Sequence, residues 1–175
     1  MEENQPKTGK FARTYGIVLG TLTIIFAVML YIAGLQYEQS LALFAVNISI
    51  MAGVIVFGIY KFREANNHLL TISEAIKVGI GIALIAAIMG ILYKMIFINI
   101  IEPDFMANYM DAQKAEMISQ NPDMTQDEID TAVKMMENFS GPFLSAALAL
   151  ISALFFGLII SLIGGLILKK EEAAY

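Results

Sequence analysis

Cysteine is absent from this 175-residue chain, so disulfides, thiolate metal sites and thiol nucleophiles are excluded at once. Charge is scarce as well: 15% of residues are Asp, Glu, Lys or Arg, against about a quarter in an ordinary soluble domain. Basic residues form no stripe outside the flanks of the apolar runs, which removes the electrostatic footprint of a nucleic-acid partner. No Walker loop, nucleophile elbow, His-Glu-x-x-His helix or dinucleotide fingerprint occurs. No catalytic, cofactor-binding or metal-ligating residue is therefore assigned, and an enzyme is not expected.

What the chain has in quantity is apolar length. Hydrophobic residues make up 58% of it, and they gather in four stretches near Tyr15–Leu35, Leu41–Tyr60, Ile76–Ile101 and Phe143–Leu168. Each stretch reaches about 20 residues or more, enough to cross a hydrocarbon core of roughly 30 Å at 1.5 Å per residue. The expected fold is all-α: a four-helix transmembrane bundle forming one integral membrane domain over 1–175. Its membrane helices are expected at about 13–35, 41–61, 72–101 and 142–168, with a helical insert over 103–140. Lys7, Lys10 and Arg13 ahead of the first run mimic a secretory signal. The run exceeds a signal h-region and no small-x-small site follows at Tyr31-Ile32-Ala33, so it reads as an uncleaved span behind a short mobile tail, Met1–Lys10.

The signs of the flanking charges are sorted. Lys7, Lys10 and Arg13 precede the first span, Lys61, Arg63 and Lys77 lie around the second connection, and Lys169 and Lys170 follow the last span. The first connection, Gln36–Ser40, has Glu38 and no basic residue. Basic residues at span ends set orientation, and their alternation places both termini in the cytoplasm. The segment Glu102–Pro142 then lies outside, where nine acidic residues face only Lys114 and Lys134.

Small residues predict how the spans meet, because helices in lipid associate by close approach rather than by a hydrophobic gain. The last span carries Ser145, Ala149, Ala153, Gly157, Ser161 and Gly165 at intervals of four, and the third offers Ala75, Gly79, Ala83 and Ala87. The first contributes Gly16 and Gly20, followed by Thr23 and Ala27. Close third–fourth and first–fourth contacts are expected, with a homo-oligomer through one of these faces as the less favoured use. Thr71-Ile72-Ser73-Glu74 has capping-box spacing and should open the third helix. Ser140-Gly141-Pro142 places Pro in the first turn of the fourth, where its missing N–H costs least.

The insert shows two helical patterns separated by Asn121-Pro122. Phe105, Tyr109 and Ala112 share a face in the first; Ile129, Ala132, Val133, Met136 and Phe139 share one in the second, after a capping box at Thr125-Gln126-Asp127-Glu128. The expectation is an extracytoplasmic amphipathic helical hairpin resting on the membrane or on the bundle's end. Six methionines in this segment read as adaptable packing residues rather than soft metal ligands, since neither Cys nor His accompanies them. Acidic residues at 123, 127, 128 and 130 lack the calcium-loop pattern and suit a helix N-terminus.

A resemblance rests on these residues. Glu74-Ala75-Ile76-Lys77-x-Gly79 opens the third span, Glu102-Pro103-x-Phe105 closes it, and an acidic helical insert and a glycine-rich last span follow. That order resembles the bacterial membrane family called domain of unknown function 4199, familiar from Bacteroidota, over nearly the whole chain. The resemblance implies a four-helix integral membrane protein of a Gram-negative inner membrane and carries no activity or site residues with it.

Three polar positions inside the spans remain as candidates. Lys94 sits well inside the third span, and an ionisable group in a membrane is a functional hypothesis by default. Its long stem can equally snorkel outward toward Glu102 or the phosphate layer, and that is the favoured reading. Asn47 in the second span and Asn99 near the end of the third are expected to hydrogen-bond neighbouring helices. The functional expectation is a non-catalytic protein with a structural or partner-binding role, its partners being the lipid bilayer, a further copy or an envelope protein. The alternative is a component of small-solute or ion transport acting as an oligomer.

Overall fold

Gly34 decides where the first span stops. The computed structural model describes residues 6–170, and in it helix α1 covers Thr8–Ile32, ending short of Leu35 and starting ahead of position 13. Gly34 adopts φ +71°, Leu35 N–H donates to Leu30 O at 2.9 Å, and Gly34 N–H donates to Tyr31 O at 3.1 Å. This Schellman closure needs a left-handed residue, which glycine enters without a Cβ clash. At the other end Lys10 belongs to the helix, contrary to the mobile tail expected through that residue, while residues 1–5 of that tail lie outside the described residues.

Helix α2 covers Leu41–Ala65; Ser40 caps it by accepting from Leu43 N–H at 3.2 Å. It continues past position 61 and is closed by Asn67 and His68, whose φ values of 52° and 63° turn the chain. Helix α3 covers Ile72–Ile96, opened by the Thr71–Glu74 capping box. The span then widens into a π-helical turn over Phe97–Ile101, in which Glu102 N–H reaches back five residues to Phe97 O at 2.8 Å. Helices α4, Phe105–Gln120, and α5, Gln126–Phe139, precede α6, Pro142–Leu168, whose first residue is the proline. Four of these segments are long and apolar enough to cross a membrane: Thr8–Ile32, Leu41–Ala65, Ile72–Ile101 and Pro142–Leu168. Their outward faces carry exposed Ile32, Leu41, Phe143 and Ile167 at 77–90% exposure, surface that acyl chains rather than water must cover. The protein is membrane-embedded and all-helical.

Helix α3 is central, packing against α1, α2 and α6, while α2 also touches α1 and α6. The expected contact between the first and fourth spans is replaced by α1 on α3. A Cβ built on Gly16 would lie 2.7 Å from Ile85 Cβ, and one on Gly20 would lie 2.6 Å from Met89 Sδ. The reason lies in α3, which presents small residues on two sides. Gly79 and Ala83 turn toward α6, whereas Gly81 meets Ala12 of α1. Positions two apart on a helix differ by roughly 200°, so these faces are opposed and hold α1 and α6 apart.

The core is unevenly distributed along the bundle axis. Phe97 of the π-helical turn and Ile129 of α5 are buried separately at the α4–α5 end. The main cluster, Leu19 on α1, Met51, Ile55, Ile59 and Phe62 on α2, and Ala75, Val78, Ile82, Ala83 and Ala86 on α3, with Ser161 of α6 also buried, runs from the middle of the bundle to the end where α1 begins and α6 finishes. There Phe11 meets Phe62 edge-on at 5.4 Å, and Leu70 and Lys170 pair backbone to backbone at 2.8 and 3.1 Å.

Candidate functional site

The small-residue face of α6 does two different things along its length. In the tight half, Gly157, Ser161 and Gly165 lie against α3. Gly157 leaves 2.6 Å between a built Cβ and Ala83 Cβ, Gly165 leaves 2.8 Å to Ala75 Cβ, and Ser161 fills the space a Gly79 side chain would need. Ser161 is fully buried and donates its hydroxyl to Gly157 O, so its polar group is satisfied inside its own helix. In the other half the helices part. Ala149 and Ala153, read from the sequence as packing residues, line a cavity of about 370 Å³ instead, with Ala83, Ala86, Ala87 and Gly90 of α3 opposite. The physical reason is that close approach needs small residues on both helices and a neighbour pressing from behind. Helix α2, which fills that role through Ile55 and Ile59, has its buried residues only from Met51 onward.

A second cavity of about 520 Å³ lies beneath α4 and α5, lined by Phe105, Met106, Tyr109, Met136 and Phe139 together with Ala27, Leu30 and Tyr93. Lys94 and Ser145 line both cavities, so the two adjoin at these side chains. Lys94 is exposed and, among the described residues, has no hydrogen-bond or ion-pair partner. It makes no pair with Glu102, toward which snorkelling was one expected direction; the Glu102 carboxylate accepts from the Tyr37 hydroxyl. Asn47 faces the first cavity and bonds no neighbouring helix. Asn99, also expected to reach across, donates instead to Met95 O of its own turn at 2.7 Å. A longitudinal carbonyl one turn back is the nearest acceptor for a short amide on an exposed face. The structure thus brings Lys94 and Asn47 to one cavity and leaves Asn99 outside it.

Helix α4 packs against α5 and is tied to the bundle by side chains. Phe97, Phe105, Tyr31 and Tyr37 form a chain of ring contacts, with Phe97–Tyr31 at 5.1 Å, Phe97–Phe105 at 5.4 Å and Tyr37–Phe105 at 5.5 Å. Asn108 donates to the Tyr37 hydroxyl at 3.1 Å, Gln113 donates to Tyr37 O at 3.3 Å, and Gln39 donates to the Tyr109 hydroxyl. Burial, and then the charge of Glu116, push the Tyr109 hydroxyl above its ordinary range, keeping it neutral as an acceptor. Because Asn108 and Gln113 point at the α1–α2 connection, the bundle-facing side of α4 is partly polar. Its apolar residues are spread around the helix, unlike those of α5, which buries Ile129. Gln36 Oε1 and Glu102 Oε2 are buried here without a donor.

The sequence places Phe105 and Tyr109 on one face of the insert but does not join them to Tyr93 and Phe97, four residues apart at the end of the third span, which line the same cavity. The signal was obscured by the break at Glu102-Pro103. Among the described residues no cluster of His, Asp or Glu has metal-holding geometry.

Residues 14–170 match a family described as a protein of unknown function (DUF4199), and the chain belongs to that family. No curated protein and no solved structure matches it.

Proposed function

From that membership and the parted helices, we propose that this is a non-catalytic protein of a bacterial inner membrane that acts by holding a membrane-borne ligand or partner. The observation that carries the reading is the pair of adjoining cavities at the α4–α5 end. Their combined lining is mostly apolar, with a few polar groups, and each falls in the size range of small-molecule sites. Grooves of this size with mostly apolar walls gain dispersion contacts from an apolar occupant, which lowers the free energy.

The orientation belongs to the same proposal. Lys61, Arg63 and Lys77 lie near the loop that joins α2 to α3, and Lys169 and Lys170 lie beside it through the Leu70–Lys170 pairing. Both termini are accordingly assigned to the cytoplasmic side and α4–α5 to the opposite one.

Native mass spectrometry of the protein released from detergent tests the binding reading. Wild type should retain an amphiphile, and a variant with the first cavity filled, Ala149→Phe with Ala87→Phe, should lose it while keeping its helical circular dichroism. Bare wild-type protein would remove the reading. Lys94 and Asn47 facing one cavity favour a second reading, a small-solute or ion path completed by an oligomer; protein-dependent flux in liposomes separates it from the first.

A further inference from the structure

We propose that Lys94 is the headgroup contact of a site for an anionic phospholipid, one of whose acyl chains occupies the cavity between α3 and α6. The inference rests on the binding reading above and names its ligand class.

Three observations converge on it. Among the described residues Lys94 is the only charged side chain lining either cavity, it is a cation, and no carboxylate answers it. Glu102, the nearest acidic residue along the chain, is engaged by Tyr37 on the far side of the π-helical turn. A site that presents one uncompensated positive charge in apolar walls selects a ligand with one negative head and an apolar body. The second observation is depth. Lys94 lies roughly 10 Å of helix rise before the end of its span at Ile101, and its stem carries the ammonium further toward the interface. A phosphate at its ordinary level in the leaflet meets the ammonium there, with the chain below it. The third is the lining. Below Lys94 the first cavity is bounded chiefly by Leu19, Met51, Ala83, Ala86, Ala149 and Ala153, residues that offer an acyl chain dispersion contact, with Asn47 the one polar side chain there that bonds no backbone carbonyl of its own helix. Above Lys94 the second is bordered by Tyr93, Tyr109 and Ser140, which suit the glycerol and ester region.

The supply of such a ligand needs no soluble carrier, since the bilayer that covers the exposed faces of α1, α2, α3 and α6 contains it. A second copy of the chain or a partner helix would have to bring an acidic side chain to the same depth, at a large cost in lipid.

Purified protein in neutral detergent, titrated with phosphatidylglycerol or phosphatidylcholine and read by native mass spectrometry, tests the assignment. Wild type should retain phosphatidylglycerol about fivefold over phosphatidylcholine, the scale of one partly exposed ion pair. Lys94→Met should bring the two lipids to parity by weakening phosphatidylglycerol alone, and Lys94→Arg should keep the preference. Parity in wild type, or a preference unchanged in Lys94→Met, overturns the Lys94 assignment and leaves cavity binding standing. Retention of neither lipid removes both. Equal thermal midpoints for wild type and Lys94→Met exclude misfolding as the cause of any difference.

Discussion

Gly79 and Gly53 look alike in the sequence, each a glycine within an apolar helix, yet they have opposite surroundings. A Cβ on Gly79 would run into Ser161 and come within 3.0 Å of Ile55 Cγ2, whereas one on Gly53 would meet nothing within 4 Å. Gly79→Ala should therefore destabilise the detergent-solubilised protein by about 1–3 kcal/mol through overpacking. Gly53→Ala should be neutral or gain up to about 1 kcal/mol, the ordinary advantage of Ala inside a helix. Thermal unfolding followed by circular dichroism reads both, and equal midpoints for the two variants would show that the α3–α6 contact is not as close as described. The small-residue stripe was visible in the sequence at this scale. Which of its members touch a neighbour was not, because Ala149 and Gly157 belong to the same four-residue stripe and what packs around each is set by other helices.

Element boundaries follow caps more closely than hydropathy. Helix α1 stops at a Schellman glycine although Ala33 and Leu35 continue the apolar run, and α3 and α5 open on capping boxes whose spacing is plain in the chain. In the α5 box, Thr125 N–H donates to Glu128 Oε2 at 2.8 Å, as does the Thr125 hydroxyl. The backbone bond first, and the hydroxyl second, hold the Glu128 carboxyl below its ordinary range. A carboxyl depressed in the folded state contributes stability in full above the ordinary carboxylate range and loses it as pH falls through its folded value. Hydrogen exchange of the first-turn amides of α5, corrected for intrinsic rates, should accelerate as the pH falls below the ordinary carboxylate range. In Glu128→Gln that acceleration should disappear; if it persists, the box is not what anchors α5. The π-helical turn at Phe97–Ile101 left no such mark in the sequence. It aims Phe97 at Tyr31 and Phe105, a requirement set by residues far away in the chain.

At the level of the whole molecule, the bundle is tight where Lys and Arg cluster and open where α4 and α5 sit. The absence of cysteine makes the proposed orientation directly testable, since single introduced thiols report without background. In spheroplasts, a membrane-impermeant maleimide should label Asp123→Cys before permeabilisation and Asn67→Cys only after it. The reverse pattern would invert the topology and place both cavities near the cytoplasmic face. Charge sorting supports the assignment because moving a basic loop across a membrane is disfavoured.

The sequence alone determined that four helices are long and apolar enough to cross a bilayer, that the third opens on a capping box, and that the chain belongs with the family its order of segments resembles. These are local properties: twenty consecutive apolar residues have no other low-energy use, and a capping box closes within four residues. Tertiary structure alone decided that α1 pairs with α3 rather than α6, that half of the α6 stripe faces a cavity, and that Lys94 stands there without a counter-charge. Those depend on which faces of α3 are opposed and on where α2 ends its support. Such information is shared among helices distant in the chain, and no periodicity within one helix contains it.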